Sequence, residues 1–100
     1  MNKALIVGSI NVDKVYEVEH IVRPGETISS RGYRTAWGGK GLNQAVALCR
    51  AGAGTALAGC IGEAEYASLL ALCAETGLDA AHVRVSDRPS GHAVIQVDGS

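Results

Sequence analysis

The chain has 100 residues, 47% of them hydrophobic and 19% charged, with a formal net charge of −1. That length allows one domain with a modest core, and the charge balance lacks the basic excess that would hold nucleic acid or an anionic membrane surface. No apolar run is long enough to span a bilayer, and residues Met1–Gly8 carry no long apolar region followed by a cleavage-like sequence, so no secretory signal is expected.

Ala4-Leu5-Ile6-Val7 is a continuous apolar run closed by Gly8, the pattern of a central strand buried on both faces. Asn11 and Asp13 follow in what reads as a turn just past that strand. Residues 14–20 alternate, with Tyr16 and Val18 on one side and Glu17 and Glu19 on the other, which predicts a half-exposed strand. Pro24-Gly25 marks a turn, and residues 27–36, rich in Thr, Ser, Ile and Tyr, suit a second exposed strand. Lys40 to Arg50 predicts a helix with Leu42, Ala45, Val46 and Cys49 on one face, stopped by Gly52 and Gly54. A short strand over 55–61 and a second helix over 64–76 follow. The helix has Tyr66, Leu69, Leu70 and Cys73 as its buried stripe and Gly77 as its stop. Val83–Val85 predicts a short strand, Ser90-Gly91 a turn, and His92–Val97 an alternating last strand. Val97-Asp98-Gly99-Ser100 looks like a further turn.

This order is α/β, with the segment 14–36 as a small flap beside the main sheet. Two helices cannot cover both faces of a parallel sheet of three or more strands, so the chain is expected to be an N-terminal piece of a larger protein. Cys49, Cys60 and Cys73 are odd in number and widely spaced, which argues against a disulfide framework or a metal site. All three are expected as buried small hydrophobes in a reducing cytoplasm. His20, His82 and His92 share no ligand spacing, and Glu63 and Glu65 suit the start of a helix rather than catalysis.

Two segments carry chemistry. In Gly38-Gly39-Lys40-Gly41 the glycines allow positive φ and close approach of a ligand to the backbone. The helix that follows offers unpaired N–H groups and a partial positive charge. Asn43 lies one turn inside that helix, able to point back toward the glycines; the plain alternatives are a helix-starting turn and a solvated amide. Asn11 and Asp13 lie beyond the carboxyl end of the first strand, where open α/β sheets bind ligands. An amide both donates and accepts, and a carboxylate accepts from neighbouring hydroxyls; their plain alternative is turn capping. If both segments face one cavity, the ligand is a small polyhydroxylated molecule. Lys40 is followed by glycine, not by Ser or Thr, so the loop is no Walker A motif. Gly8-Ser9-Ile10 does not continue as a dinucleotide fingerprint.

Gly8-Ser9-Ile10-Asn11-Val12-Asp13, Pro24-Gly25-Glu26-Thr27 and Gly38-Gly39-Lys40-Gly41-Leu42-Asn43-Gln44-Ala45 together resemble the N-terminal third of the PfkB carbohydrate kinase family, in its ribokinase-like branch. The similarity continues through Ala51-Gly52-Ala53, Gly59-Cys60-Ile61-Gly62-Glu63 and Gly77-Leu78-Asp79. Leu42, Trp37 and the short acidic stretch Glu63-Ala64-Glu65 depart from the usual pattern. The resemblance implies a ribokinase-like α/β core, an open and mainly parallel sheet with flanking helices. It also implies a small β lid drawn from residues 14–36 and 91–97. It implies ATP-dependent phosphorylation of a sugar hydroxyl, ribose to ribose 5-phosphate. Asn11 and Asp13 would bind the sugar, with Gly39, Lys40, Gly41 and Asn43 completing the pocket. ATP, Mg2+ and a monovalent cation are implied as cofactors, and the catalytic base as an aspartate in a Gly-Ala-Gly-Asp motif beyond Ser100. The 100 residues alone are therefore expected to be inactive. A homodimer through the lid is also implied. The other functions weighed are a non-catalytic sugar-binding module and a nucleoside kinase of the same family.

Overall fold

The computed structural model describes residues 3–99. Its elements run β1 (Lys3–Val7), β2 (Asn11–Glu17), β3 (Gly32–Gly38), α1 (Lys40–Arg50), β4 (Gly54–Gly62), α2 (Glu63–Thr76), β5 (Asp79–Ser86) and β6 (Gly91–Val97). They form two three-stranded sheets. The first, in the order β1-β4-β5, is parallel throughout. The second, β3-β2-β6, is mixed: β2 runs antiparallel to β3 and parallel to β6.

Both helices pack on one face of the first sheet. Strand alternation puts Leu57 and Ile61 of β4 and Val83 of β5 on that face. They meet Leu42 and Ala45 of α1 and Leu69 and Cys73 of α2, with Ile10 and Leu78 closing the cluster from the connections. Leu42, Leu57, Ile61 and Leu69 are the largest fully buried side chains, each contributing about 1.5–3 kcal/mol from burial.

The opposite face is bare, and it accounts for two corrections. β1 is an edge strand rather than one buried on both faces: Ile6 packs on the core, while Leu5 is 59% and Val7 77% exposed. Cys60 points to the same bare side and is exposed, and Cys49 is half-buried; of the three cysteines only Cys73 is fully buried. Burial pushes the Cys73 thiol above its ordinary range, with smaller contributions from Cys49 and Asp79.

Element boundaries shift as well. β2 begins at Asn11 and ends at Glu17, so Asn11 and Asp13 stand on a strand, not in a turn. β3 starts at Gly32, and residues 27–31 form no strand. β5 is longer than expected because pairing with β4 extends it from Asp79 to Ser86. In α2, Leu70 is 40% exposed and Leu72 packs against the core in its place. The turn expected at the end of the chain runs into Ser100, outside the described residues.

The helix stops fall where glycine allows them. α1 ends with Gly52 at φ 94°, its N–H donating to the Cys49 carbonyl and the Ala53 N–H to that of Leu48; this closes the last turn as a Schellman motif. α2 ends at Gly77 in the left-handed conformation.

Candidate functional site

Asn11 and Asp13 are two residues apart on β2, so their side chains share one face of the second sheet. Asn11 is flanked by Gly38 of β3 and Gly91 of β6, and Asp13 by Ala36 and Ala93. The two polar side chains thus stand in a frame of the smallest residues available. A Cβ built on Gly91 would lie 2.5 Å from Asn11 Oδ1, and one on Gly38 would lie 2.5 Å and 2.7 Å from the Asp13 carboxylate oxygens. The carboxylate therefore leans along its strand over Gly38, toward the entrance of α1. With Asn11 Oδ1 over Gly91 and the Asp13 carboxylate over Gly38, a donor and several acceptors suited to neighbouring hydroxyls stand on one face of the sheet.

The entrance of α1 touches the β1–β2 connection backbone to backbone. Gly39, the N-cap residue, has φ 95°, and a Cβ there would lie 2.6 Å from the Ser9 carbonyl oxygen. At Gly41 a Cβ would meet Gly8 and Ser9 main-chain atoms at 2.5–2.7 Å. The Leu42 N–H donates to the Ser9 carbonyl at 3.0 Å. One of the first-turn N–H groups that the sequence leaves open is thus used within the fold.

The starts of the two helices differ in charge. α2 carries Glu63 and Glu65 in its first turn, complementing the helix dipole. α1 has no acidic residue in its first turn and places Lys40 there instead. Such departures concentrate at functional sites.

Of the residues singled out from sequence, the fold gathers Asn11, Asp13, Gly39 and Gly41 around one backbone junction. Lys40 and Asn43 are exposed on the first turns of α1. Asn43 lines a cavity of about 290 Å³ with Trp37, Leu42, Val46, Ala47, Arg50 and Leu72, and Asp13 is not among its walls. Sequence reasoning passed over Gly38 and Gly91 as spacers for the two polar side chains, and took Ser90-Gly91 as a plain turn. The glycines themselves were the available signal. Their purpose appears only once strand register pairs both with Asn11.

Among the described residues, no group of three or more His, Cys, Asp or Glu could hold a metal ion. Nor is any helix among them long and apolar enough to cross a membrane.

Comparison with known proteins places this geometry in context. The description "pfkB family carbohydrate kinase" matches residues 1–100. The chain is 43% identical to a ribokinase of Haemophilus influenzae over 100 residues, covering 97% of this chain and 33% of that protein. Its fold superposes on a ribokinase of Cryptococcus neoformans in complex with ADP with a TM-score of 0.87 at 40% identity, covering 100% of this chain and 32% of the other. A ribokinase of Arabidopsis thaliana complexed with ribose and ATP matches at TM-score 0.80 and 34% identity, covering 99% and 33%. The chain thus spans about a third of the length of these relatives, and its architecture is the ribokinase-like α/β fold.

Proposed function

Because this chain belongs to the pfkB family of carbohydrate kinases, we propose that it forms the sugar-binding part of an ATP-dependent kinase that converts ribose to ribose 5-phosphate. The observation that carries this reading is the pairing of Asn11 and Asp13 on one strand face, framed by Ala36, Gly38, Gly91 and Ala93. A pyranose or furanose ring needs a site where backbone approaches closely and side chains read hydroxyl pairs. Glycine neighbours leave that space, and the amide and carboxylate supply the contacts. Asp13 accepts from two sugar hydroxyls; Asn11 donates to one and accepts from another. Gly39 and Gly41 keep the α1 entrance free of side chains, and Lys40 and Asn43 add donors along the first turn of α1.

The second sheet acts as a lid over the sugar, and the exposed Ile95 and Val97, on the Asp13 side of β6, offer an apolar surface for a second copy. The enzyme works in the cytoplasm. ATP is the co-substrate. Mg2+ and a monovalent cation belong to the same proposal, with their ligands outside this segment. The general base is an aspartate outside it. What these residues contribute is binding and orientation of the hydroxyl to be phosphorylated, the positioning part of phosphoryl transfer.

The test uses the full-length gene product in a coupled assay with ribose, other pentoses and adenosine as acceptors. Ribose is expected to give the highest kcat/KM, and a preference for adenosine would replace ribokinase by nucleoside kinase. Asp13→Ala should raise the ribose KM by an order of magnitude or more, since hydrogen bonds to a charged partner contribute about 1.5–3 kcal/mol. Asn43→Ala should act in the same direction more weakly. An unchanged ribose KM in Asp13→Ala removes that carboxylate from the pocket.

A further inference from the structure

The connection between β5 and β6 exposes Asp87, Arg88 and Pro89, then buries Ser90 to 7% exposure immediately before Gly91. A serine buried at the end of an exposed loop calls for a reason. Its Oγ accepts a hydrogen bond from the Gly62 N–H at 2.9 Å and donates to Glu65 Oε2 at 2.8 Å. Gly62 is the N-cap residue of α2, which has no side-chain cap of its own, and Glu65 lies in that helix's first turn. The approach is close enough that a Cβ on Gly62 would lie 2.7 Å from the Ser90 backbone nitrogen and 2.9 Å from its Oγ. One hydroxyl therefore clamps the residue just before β6 to the start of α2, a helix of the other sheet's layer. The next residue, Gly91, lies directly against the Asn11 amide, within 2.5 Å of where its own Cβ would stand.

We infer that Ser90 is a positioning residue for Asn11: its clamp on Gly62 and Glu65 sets how closely β6 approaches the amide, and so fixes where that amide meets the sugar. This rests on the reading of Asn11 as a sugar-binding group. Without the hydroxyl, the Gly62 N–H and the Glu65 carboxylate lose a shared partner in a buried place. β6 then has no polar tie to α2 at this point, and the small gap beside Asn11 is free to open. The amide that was held by its surroundings gains rotamers that do not face the ligand.

The experiment is a double-mutant cycle in the full-length gene product, with ribose as the probe and melting temperature as a check on folding. Ser90→Ala is expected to raise the ribose KM about fivefold to tenfold, comparable to losing one hydrogen bond, while the KM for ATP stays unchanged. Ser90→Thr, which returns the hydroxyl, should recover most of the loss. In an Asn11→Ala background, Ser90→Ala should add nothing further, because the residue it positions is gone. Glu65→Ala removes the hydroxyl's acceptor from a half-buried side chain and should give a milder form of the same pattern, which serves if the Ser90→Ala protein does not fold. Additive effects of Asn11→Ala and Ser90→Ala, or an unchanged ribose KM in Ser90→Ala, would overturn the positioning role and leave the sugar site standing. An unchanged ribose KM in Asn11→Ala would overturn both.

Discussion

At the scale of single residues, the proposed site is made by what is missing as much as by what is present. In that proposal Asn11 and Asp13 supply the chemistry, and Gly38, Gly39, Gly41 and Gly91 decide whether it is reachable. Gly39 and Gly41 are the most stringent of these, because the three nearest atoms that a Cβ would meet at each belong to the main chain. None of them can rotate away. Gly41→Ala is expected to lower stability by about 1–3 kcal/mol or more, the cost of forcing overpacked backbone apart. A shift of the urea midpoint to lower concentration with little change in slope would register it. A midpoint equal to wild type would show that the α1 entrance has room for a methyl group. An amide, a carboxylate and a glycine run each have few uses, so the sequence itself nominates the residue types of the proposed site. Their placement was less so. Asn and Asp are poor strand formers, and a glycine precedes them, so the natural reading was a turn. Pairing to both β3 and β6 overrides that propensity and begins β2 at Asn11 itself.

At the scale of elements, the helices were the most readable parts. Spacing at 3.6 residues and glycine stops located α1 to the residue and α2 to within one. The strands were harder for a physical reason. A run such as Ala4–Val7 reports that its side chains are apolar, not whether a neighbour covers each face. The Leu70 and Leu72 exchange has the same origin, because a helix rich in apolar residues all round does not declare its buried side. The irregular segment between β2 and β3 has its own local order. The Glu26 N–H donates to the Arg23 carbonyl across Pro24-Gly25, with Gly25 at φ 77°, as a turn with proline second and glycine third requires. The Glu26 carboxylate accepts from the Arg23 N–H at 3.1 Å and pairs with His20 Nε2 at 2.8 Å. The His20 hydrogen bond, with the Arg23 amide second, holds the Glu26 carboxyl below its ordinary value. A carboxyl whose value is lowered by folding stabilises the folded form above the usual carboxylate range, and that contribution fades as pH falls through the lowered value. An NMR titration of the Glu26 carboxyl carbon is expected to show a midpoint below that of a free glutamate, moving back up in His20→Ala. An unmoved midpoint would mean the pair is not populated in solution.

At the scale of the whole molecule, two thin sheets share a short junction. The radius of gyration is 15.9 Å, against about 13 Å for a compact domain of this length. The bare side of the first sheet, with Leu5 and Val7, contributes to that openness. Residues 1–100 produced alone are expected to bind a hydrophobic dye through this face and to show no ribose-dependent ATP turnover; measurable turnover would relocate the catalytic base into this segment. Fold class and family were legible from the motifs, and so was a second, smaller sheet drawn from the segments 14–36 and 91–97. What was not legible is where that sheet begins: β2 already starts at Asn11, and Ile10 before it looks like any other buried aliphatic in the sequence. The pairing of β2 also has a consequence for biogenesis. Its partner on one side, β3, follows within a few dozen residues, but its partner on the other, β6, pairs Asn11 with Gly91 across most of the chain. A ribosome making this protein delivers the hairpin early and the third strand late. Closing so distant a contact is entropically slow, so the nascent chain carries β2 half-dressed, paired on one side only, until translation has passed β6.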